Sequence, residues 1–263
     1  MEQKLQILPH GLLQLYKELF DKDAESHFRN LEESELSTHT FSFYTSVSAV
    51  FSSKIEGEEI ELDSFIKYKR LGVHYKPDYT QKIDDLYSAY EFAAENHLTA
   101  DNVLLAHALL TKNILHPSQQ GRFRNGPMFV ITDDGKIQYV AAEPAIVAAE
   151  MDKFYRDLET LIEANLSFSE VFFFAALLHL VFVKIHPFED GNGRTARLLE
   201  KWFLAEKLGN KAWFVQSEKN YYSHHKAYYH NLRALGLEYS ELDYSKALPF
   251  LQMLPGALQP IGE

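Results

Sequence analysis

Apolar residues recur at helical spacing over most of the chain. Leu12, Leu15, Tyr16 and Leu19 make a first stripe, and Tyr44, Val47, Phe51 and Ile55 a second that Gly57 stops. Ile83, Leu86, Tyr87, Tyr90 and Phe92 predict a third helix. Asp101 reads as the N-cap of a fourth, running through Leu104, Leu105, Ala108 and Leu109. Long helices are expected over 143–164 and 169–185, and another from within the segment 186–197 to about Gly209. Two more are expected near 223–235 and 245–253. The run VFFFAALLHLVFVKI at 171–185 raises the question of a membrane span. Fifteen residues that include His179 and Lys184 cross a bilayer poorly, so the run predicts a buried core helix.

One segment breaks the helical pattern. PMFVITDDGKIQYV (127–140) places two β-prone runs around Asp134-Gly135, a strong short-range hairpin signal. A lone hairpin among helices builds no large sheet. It either connects helices or serves as a flap whose free edge pairs with a partner strand. The expected fold class is therefore mainly α, a helical bundle with a β-hairpin flap and an N-terminal helical region. KRLGVHYKPDYT (69–80), with Gly72 and Pro77, is the best boundary, separating a region over 1–75 from a core over 76–263.

Composition narrows the function classes. The 263 residues are 46% hydrophobic and 24% charged, ordinary for a soluble globular protein. A formal charge of −11 argues against a general nucleic-acid binder, though not against a local basic pocket. Without cysteine there is no disulfide, thiolate zinc site or cysteine nucleophile. The N-terminus carries charges within its apolar pattern and reads as an amphipathic helix, not a signal peptide. The expectation is a cytoplasmic protein with no membrane partner.

The chemistry concentrates in HPFEDGNGRTAR, residues 186–197, directly after the most apolar run. Pro187 ends the preceding helix near His186 and disfavours the helical conformation there. Phe188 is placed to anchor the loop. Gly191 and Gly193 permit backbone conformations closed to other residues, and Gly-Asn-Gly ahead of a helix presents free N–H groups to an anion. Arg194 and Arg197 share a helix face in the first turns, where the helix dipole disfavours a cation by about 0.3–1 kcal/mol. A bound polyphosphate would reverse that preference. Asp190 can give one oxygen to magnesium, and His186 is the residue able to take a proton near neutral pH. Taken singly, the histidine is a loop residue, the acid a solvated cap and the glycine loop no P-loop, since GxxxxGK[ST] is missing. A transition-metal pair of His186 and Asp190 has no further ligand at matching spacing. Taken together, these residues suit a magnesium–polyphosphate site with an adjacent base.

The stretch fills every fixed position of HxFx[DE]GNGRxxR, and so resembles the signature of the Fic family. The resemblance covers roughly residues 80–235, with the hairpin upstream of the motif where the family has its flap. Upstream, Ser52, Glu56 and Gly57 in SSKIEG fit the family's inhibitory pattern [ST]xxxE[GN]. This resembles the subclass with an N-terminal inhibitory helix, here about 40–57. The resemblance implies a Fic-type helical bundle and a protein adenylyltransferase, which passes AMP from ATP, with Mg2+, to a hydroxyl of a target protein. It implies His186 as general base and Asp190 as magnesium ligand. Gly191, Asn192 and Gly193 would cradle phosphate, with Arg194 and Arg197 on the outer phosphates. Glu56 would pair with Arg197 in a resting, autoinhibited state. Tyr228 and Tyr229 in AYYHNL resemble residues that enclose adenine, although aromatic core packing explains them equally. The target would dock on the flap at 127–140, and a homodimer is left open as a partner. Two other functions share the residues: a hydrolase removing AMP from a modified protein, and an ATP-sensing module without turnover.

Overall fold

The structure is a computed structural model, and it describes residues 5–38, 42–73, 77–131 and 135–259. Within them the chain runs through α1 (Leu13–Leu19), α2 (Ala24–Arg29), α3 (Phe43–Ile55), α4 (Leu62–Leu71), α5 (Pro77–Glu95) and α6 (Ala100–Leu110). The strands β1 (Phe129–Ile131) and β2 (Ile137–Val140) follow. Then come α7 (Pro144–Glu163), α8 (Phe168–Ile185), α9 (Asn192–Leu208), α10 (Ser217–Ser223), α11 (His225–Ala234), α12 (Leu248–Leu251) and α13 (Met253–Gly256). The fold is mainly α with one small hairpin, as the pattern predicts.

α8 is the axis on which the rest is hung. It is long and apolar enough to cross a membrane by length and composition, yet 78% of it is buried inside the protein. Glu170 fixes its start by accepting the Ser167 N–H at 2.8 Å, half of a capping box, while Lys17 of α1 reaches the same carboxylate at 3.1 Å. α9 packs most extensively on α8, and α5, α6, α7 and α3 surround the pair. The N-terminal segment is tied to α7 by one buried carboxylate. Asp157 accepts the backbone N–H groups of Gln6, Ile7 and Leu8 at 2.7, 2.8 and 2.9 Å.

Two boundaries differ from the sequence reading. Thr99, not Asp101, caps α6: its extended backbone lets its hydroxyl accept the Asn102 N–H at 3.2 Å. Asp101 falls in the first turn, where the helix dipole still favours an acid. The helix expected over 223–235 is α11, whereas the one expected over 245–253 is divided between α12 and α13. α3 ends at Ile55, so Glu56 is its C-cap and Gly57, at φ 92°, turns the chain away.

The hairpin is antiparallel, with Phe129 opposite Val140 and Val130 opposite Tyr139, and a bulge between Val130 and Ile131. Gly135 takes the positive φ of 78° that its turn demands, while Asp134 lies outside the described residues. β2 is held from its other side at one point, where the Val140 N–H donates to the Leu237 carbonyl at 2.8 Å.

Candidate functional site

His186 sits where α8 stops. It is the only non-glycine among the described residues with positive φ, 55°, where a residue before proline would more simply be extended. The capping of α8 holds it there. Its own N–H closes the helix onto Phe182 O at 3.0 Å, and its Nδ1 faces Val183 O at 3.1 Å. Tyr139 of the hairpin donates its hydroxyl to Lys184 O at 2.6 Å. Arg124, just ahead of the hairpin, donates Nε to His186 O at 2.7 Å, and its backbone N–H to Pro187 O at 2.9 Å. The same guanidinium reaches Gly126 O at 2.8 Å and Ala142 O at 2.5 Å. One side chain thus ties both ends of the hairpin to the loop that carries His186. A carbonyl can only accept, so Nδ1 carries the proton of the neutral imidazole and Nε2 keeps a free lone pair. Burial holds the His186 pKa below its ordinary value, and the Arg124 charge adds to this against the opposing Val183 contact.

The loop after His186 is built on buried contacts. Phe188 is fully buried and stacks on His107 of α6, ring centres 3.6 Å apart. Asn192 accepts the Phe188 N–H and donates to Phe188 O, both at 2.9 Å. Its amide is therefore spent on closing the loop, which leaves its backbone, not its side chain, for a phosphate. His107 Nδ1 accepts the Gly121 N–H at 2.9 Å, so its other nitrogen donates to Asp190 O at 3.0 Å. Burial pushes the His107 pKa down to about 4. Gly191 has φ 78°, and a Cβ there would meet Thr111, the C-cap of α6, at 2.7 Å. Its glycine is required by backbone conformation and helix approach alike.

α9 begins at Asn192 with no side-chain cap, so its first N–H groups are open to an anion. Arg194 Nη2 pairs with Asp190 Oδ1 at 2.9 Å, and its buried Nε has no partner. Arg197 is fully buried and its guanidinium is nearly saturated. Nε donates to Ser52 Oγ at 2.8 Å, and Nη2 to Ser52 O at 3.0 Å and Glu56 Oε1 at 2.6 Å. Burial alone would raise the Glu56 pKa, but the charges of Arg197 and then Arg194 outweigh it and hold the carboxyl below its usual range. The Arg197 pKa is raised by the same pairing against the opposing effect of burial. A Cβ on Gly193 would stand 2.5 Å from Glu56 Oε1. The carboxylate thus lies against the N-terminal turn of α9.

A cavity of about 650 Å³ opens onto these groups, within the range of small-molecule sites. His186, Gly193, Arg197 and Glu56 line one part, and Val130, Ile131, Gln138 and Tyr139 of the hairpin another. Tyr228 and Tyr229 of α11 line it too, so the structure brings both tyrosines to the cavity. Tyr229 also donates its hydroxyl to Ile55 O, the last carbonyl of α3, at 3.3 Å. Lys184 lies in the wall with its ammonium 4.1 Å from the Tyr139 ring centre, its pKa lowered to about 8 by burial.

A second polar cluster fastens α3. Lys201, one turn beyond Arg197 on α9, donates to Ser48 Oγ at 2.5 Å and pairs with Glu218 of α10 at 2.6 Å. Tyr90 of α5 donates to the other Glu218 oxygen at 2.6 Å. Ser48 and Ser52 of α3 thus face Lys201 and Arg197 of α9 as two matched pairs. Arg124, His107, Lys201 and Glu218 were not singled out in the sequence. Only Arg124 carried a local sign, as an arginine in RFRNGP directly before the hairpin.

Comparison with known proteins covers part of the chain. Residues 97–204 match the Fic/DOC family. A stretch of 102 residues is 34% identical to "Protein adenylyltransferase Fic" of Nematostella vectensis, covering 39% of this chain and 22% of that protein. Another of 85 residues is 38% identical to "Ribonucleoside-diphosphate reductase small chain" of Ostreid herpesvirus 1, covering 30% of this chain and 15% of that one. The matched region thus spans less than a quarter of either curated relative. Across nearly the whole chain, the fold is that of a Fic family protein from Desulfovibrio desulfuricans. That crystal structure aligns with a TM-score of 0.74 at 22% identity, over 97% of this chain and 74% of that one.

Proposed function

Because the chain carries a Fic domain, matched over residues 97–204, we propose that it is a protein adenylyltransferase held at rest by its own Glu56. The observation that carries this reading is the ion pair of Glu56 with Arg197, which sets the carboxylate over the space a Cβ of Gly193 would fill, where an outer phosphate would stand. The Glu56 side chain keeps 29% of its surface exposed, so a ligand entering the cavity can reach and displace it.

In this reading ATP lies along the cavity with its phosphates on the α9 N-terminus. The target's hydroxyl oxygen attacks the α-phosphorus and its proton passes to His186 Nε2. The bond from the α-phosphorus to the bridging oxygen breaks, and pyrophosphate leaves. Asp190 fits a magnesium ligand in its donor chemistry: it is a half-exposed carboxylate whose hydrogen bonds fall on Oδ1. Bound magnesium would supply charge neutralisation on the phosphates. The residues' own part is positioning and electrostatic stabilisation, as phosphoryl chemistry requires. The target is proposed to dock on the hairpin, whose Phe129, Ile131 and Ile137 are exposed.

The test is Glu56→Gly protein with labelled ATP and Mg2+. Auto-adenylylation rising roughly tenfold or more over the parent supports the reading; a tenfold change corresponds to ~1.4 kcal/mol. Bound ATP with no gain in transfer removes Glu56 from the inhibitory role. AMP released from a modified protein, with none added, would favour the hydrolase.

A further inference from the structure

Arg197 has a second set of contacts that leads away from Glu56 into the core. Its Nη1 donates to the Tyr228 hydroxyl oxygen at 3.3 Å. That hydroxyl lies 3.0 Å from His179 Nε2, and His179 Nδ1 lies 2.8 Å from Glu200 Oε2. Tyr221 donates its hydroxyl to the same Glu200 oxygen at 2.7 Å. Arg197, His179, Glu200, Tyr221 and Tyr228 are each no more than 1% exposed.

The direction of the chain follows from its end. Arginine can only donate, so the Tyr228 oxygen accepts from Arg197 and its own proton points to His179 Nε2. His179 Nδ1–H then points to Glu200. Every link is used once. Ser52 fixes two further guanidinium positions, through its hydroxyl and its carbonyl. Glu56 supplies a further bond, and none of the contacts to Ser52 and Tyr228 involves its side chain. A buried polar chain with no part in the reaction would be costly, since apolar residues of equal volume often serve stability as well.

We infer that Glu200, His179 and Tyr228 form a positioning chain that aims the Arg197 guanidinium at the terminal phosphates of the nucleotide, whether or not Glu56 is present. The inference rests on the adenylyltransferase reading and adds three residues to it. They act through Arg197, so their effect falls on ligands that reach Arg197 and spares those that do not. ATP reaches it; AMP, which ends at the α-phosphate, does not.

The experiment compares ATP and AMP binding by calorimetry, and transfer kinetics, in the Glu56→Gly protein with and without His179→Leu or Tyr228→Phe. Tyr228→Phe keeps the ring and loses only the hydroxyl, which keeps the test valid if His179→Leu unfolds. Both changes are expected to weaken ATP binding about tenfold, the size of a hydrogen bond to a charged group. AMP binding should fall less than ATP binding, and KM for ATP should rise more than kcat falls. His179→Gln, which keeps a donor and an acceptor, is expected to restore most of the difference. Equal losses for ATP and AMP, or no loss in a folded Tyr228→Phe protein, overturn the chain while leaving the nucleotide site intact. If Glu56→Gly protein binds neither nucleotide, the functional reading itself falls and takes this inference with it.

Discussion

In the proposed reaction, His186 is suited to act as a base by the partly buried place the chain gives it. Its folded pKa lies below the ordinary imidazole value of about 6.5, so it stays neutral at pH 7 and keeps its Nε2 lone pair. Transfer by Glu56→Gly protein should therefore be flat around neutrality and fall only below pH about 6.5, as read from a pH–rate profile. His186→Ala in that background should lower the rate by about 10²–10⁴ while ATP still binds. His107 gives the corresponding stability prediction. Its folded value of about 4 lies below its unfolded one, so on acidification the unfolded chain takes up the proton first. Stability should drop as pH falls from about 6.5 towards 4, by about 3 kcal/mol at most. His107→Gln should flatten that slope in urea titrations. The depressed Glu56 carboxyl acts with the same sign at lower pH: its pairing contributes above the unfolded carboxyl pKa and is lost as pH falls through the folded one.

At the scale of elements, α3 shows how far apolar periodicity carries. The stripe Tyr44, Val47, Phe51 and Ile55 located the helix correctly but only part of its buried face, since Val47 and Ile55 are buried. Tyr44 and Phe51 are only partly buried, whereas Ser46, Ser48, Ser52 and Ser53 are at most 1% exposed. A serine face is invisible to hydrophobic spacing. It exists here because α9 offers two buried cations, Arg197 and Lys201, which need oxygens opposite them. Glu218→Ala should therefore destabilise the fold by about 3–5 kcal/mol, since it strands the Lys201 charge. The double change with Lys201→Met should recover most of this, as measured by chemical denaturation. The hairpin was legible from its Asp-Gly turn, but its attachment was not, because Arg124 acts on carbonyls that any sequence would supply. Arg124→Ala should cost at least about 1–3 kcal/mol and raise amide exchange over 186–191. Arg124→Lys should fail to rescue it, because a single ammonium cannot span the carbonyls of His186, Gly126 and Ala142.

Across the whole molecule, the sequence revealed most where one short motif holds the chemistry. Of residues 186–197, His186, Gly193 and Arg197 line the cavity, and Glu56, 141 positions from Arg197, could be paired with it only through a resemblance. Contacts made across the fold, such as Asp157 with the N-terminal amides or His107 with Phe188, leave no local trace in the chain. The same holds for the Thr99 cap, which competed with an equally good neighbour two residues on.

α8 has a consequence for the life of the chain before and after folding. Its composition would satisfy a lipid bilayer, and only neighbours from both sides of the sequence keep it from water. A ribosome-bound chain that has emitted α8 but not α9 lacks the neighbour that packs most extensively on it, and a heated chain lacks all of them. Unfolded molecules should therefore associate through this segment faster than they refold. Thermal unfolding should be irreversible, with a midpoint that climbs as the scan rate is raised in calorimetry. A scan-rate-independent, reversible transition would show that the exposed helix is protected by some other means. Irreversible unfolding would mean that the helix leading into the His186 loop sets the protein's working lifetime through kinetics, with its equilibrium stability mattering less.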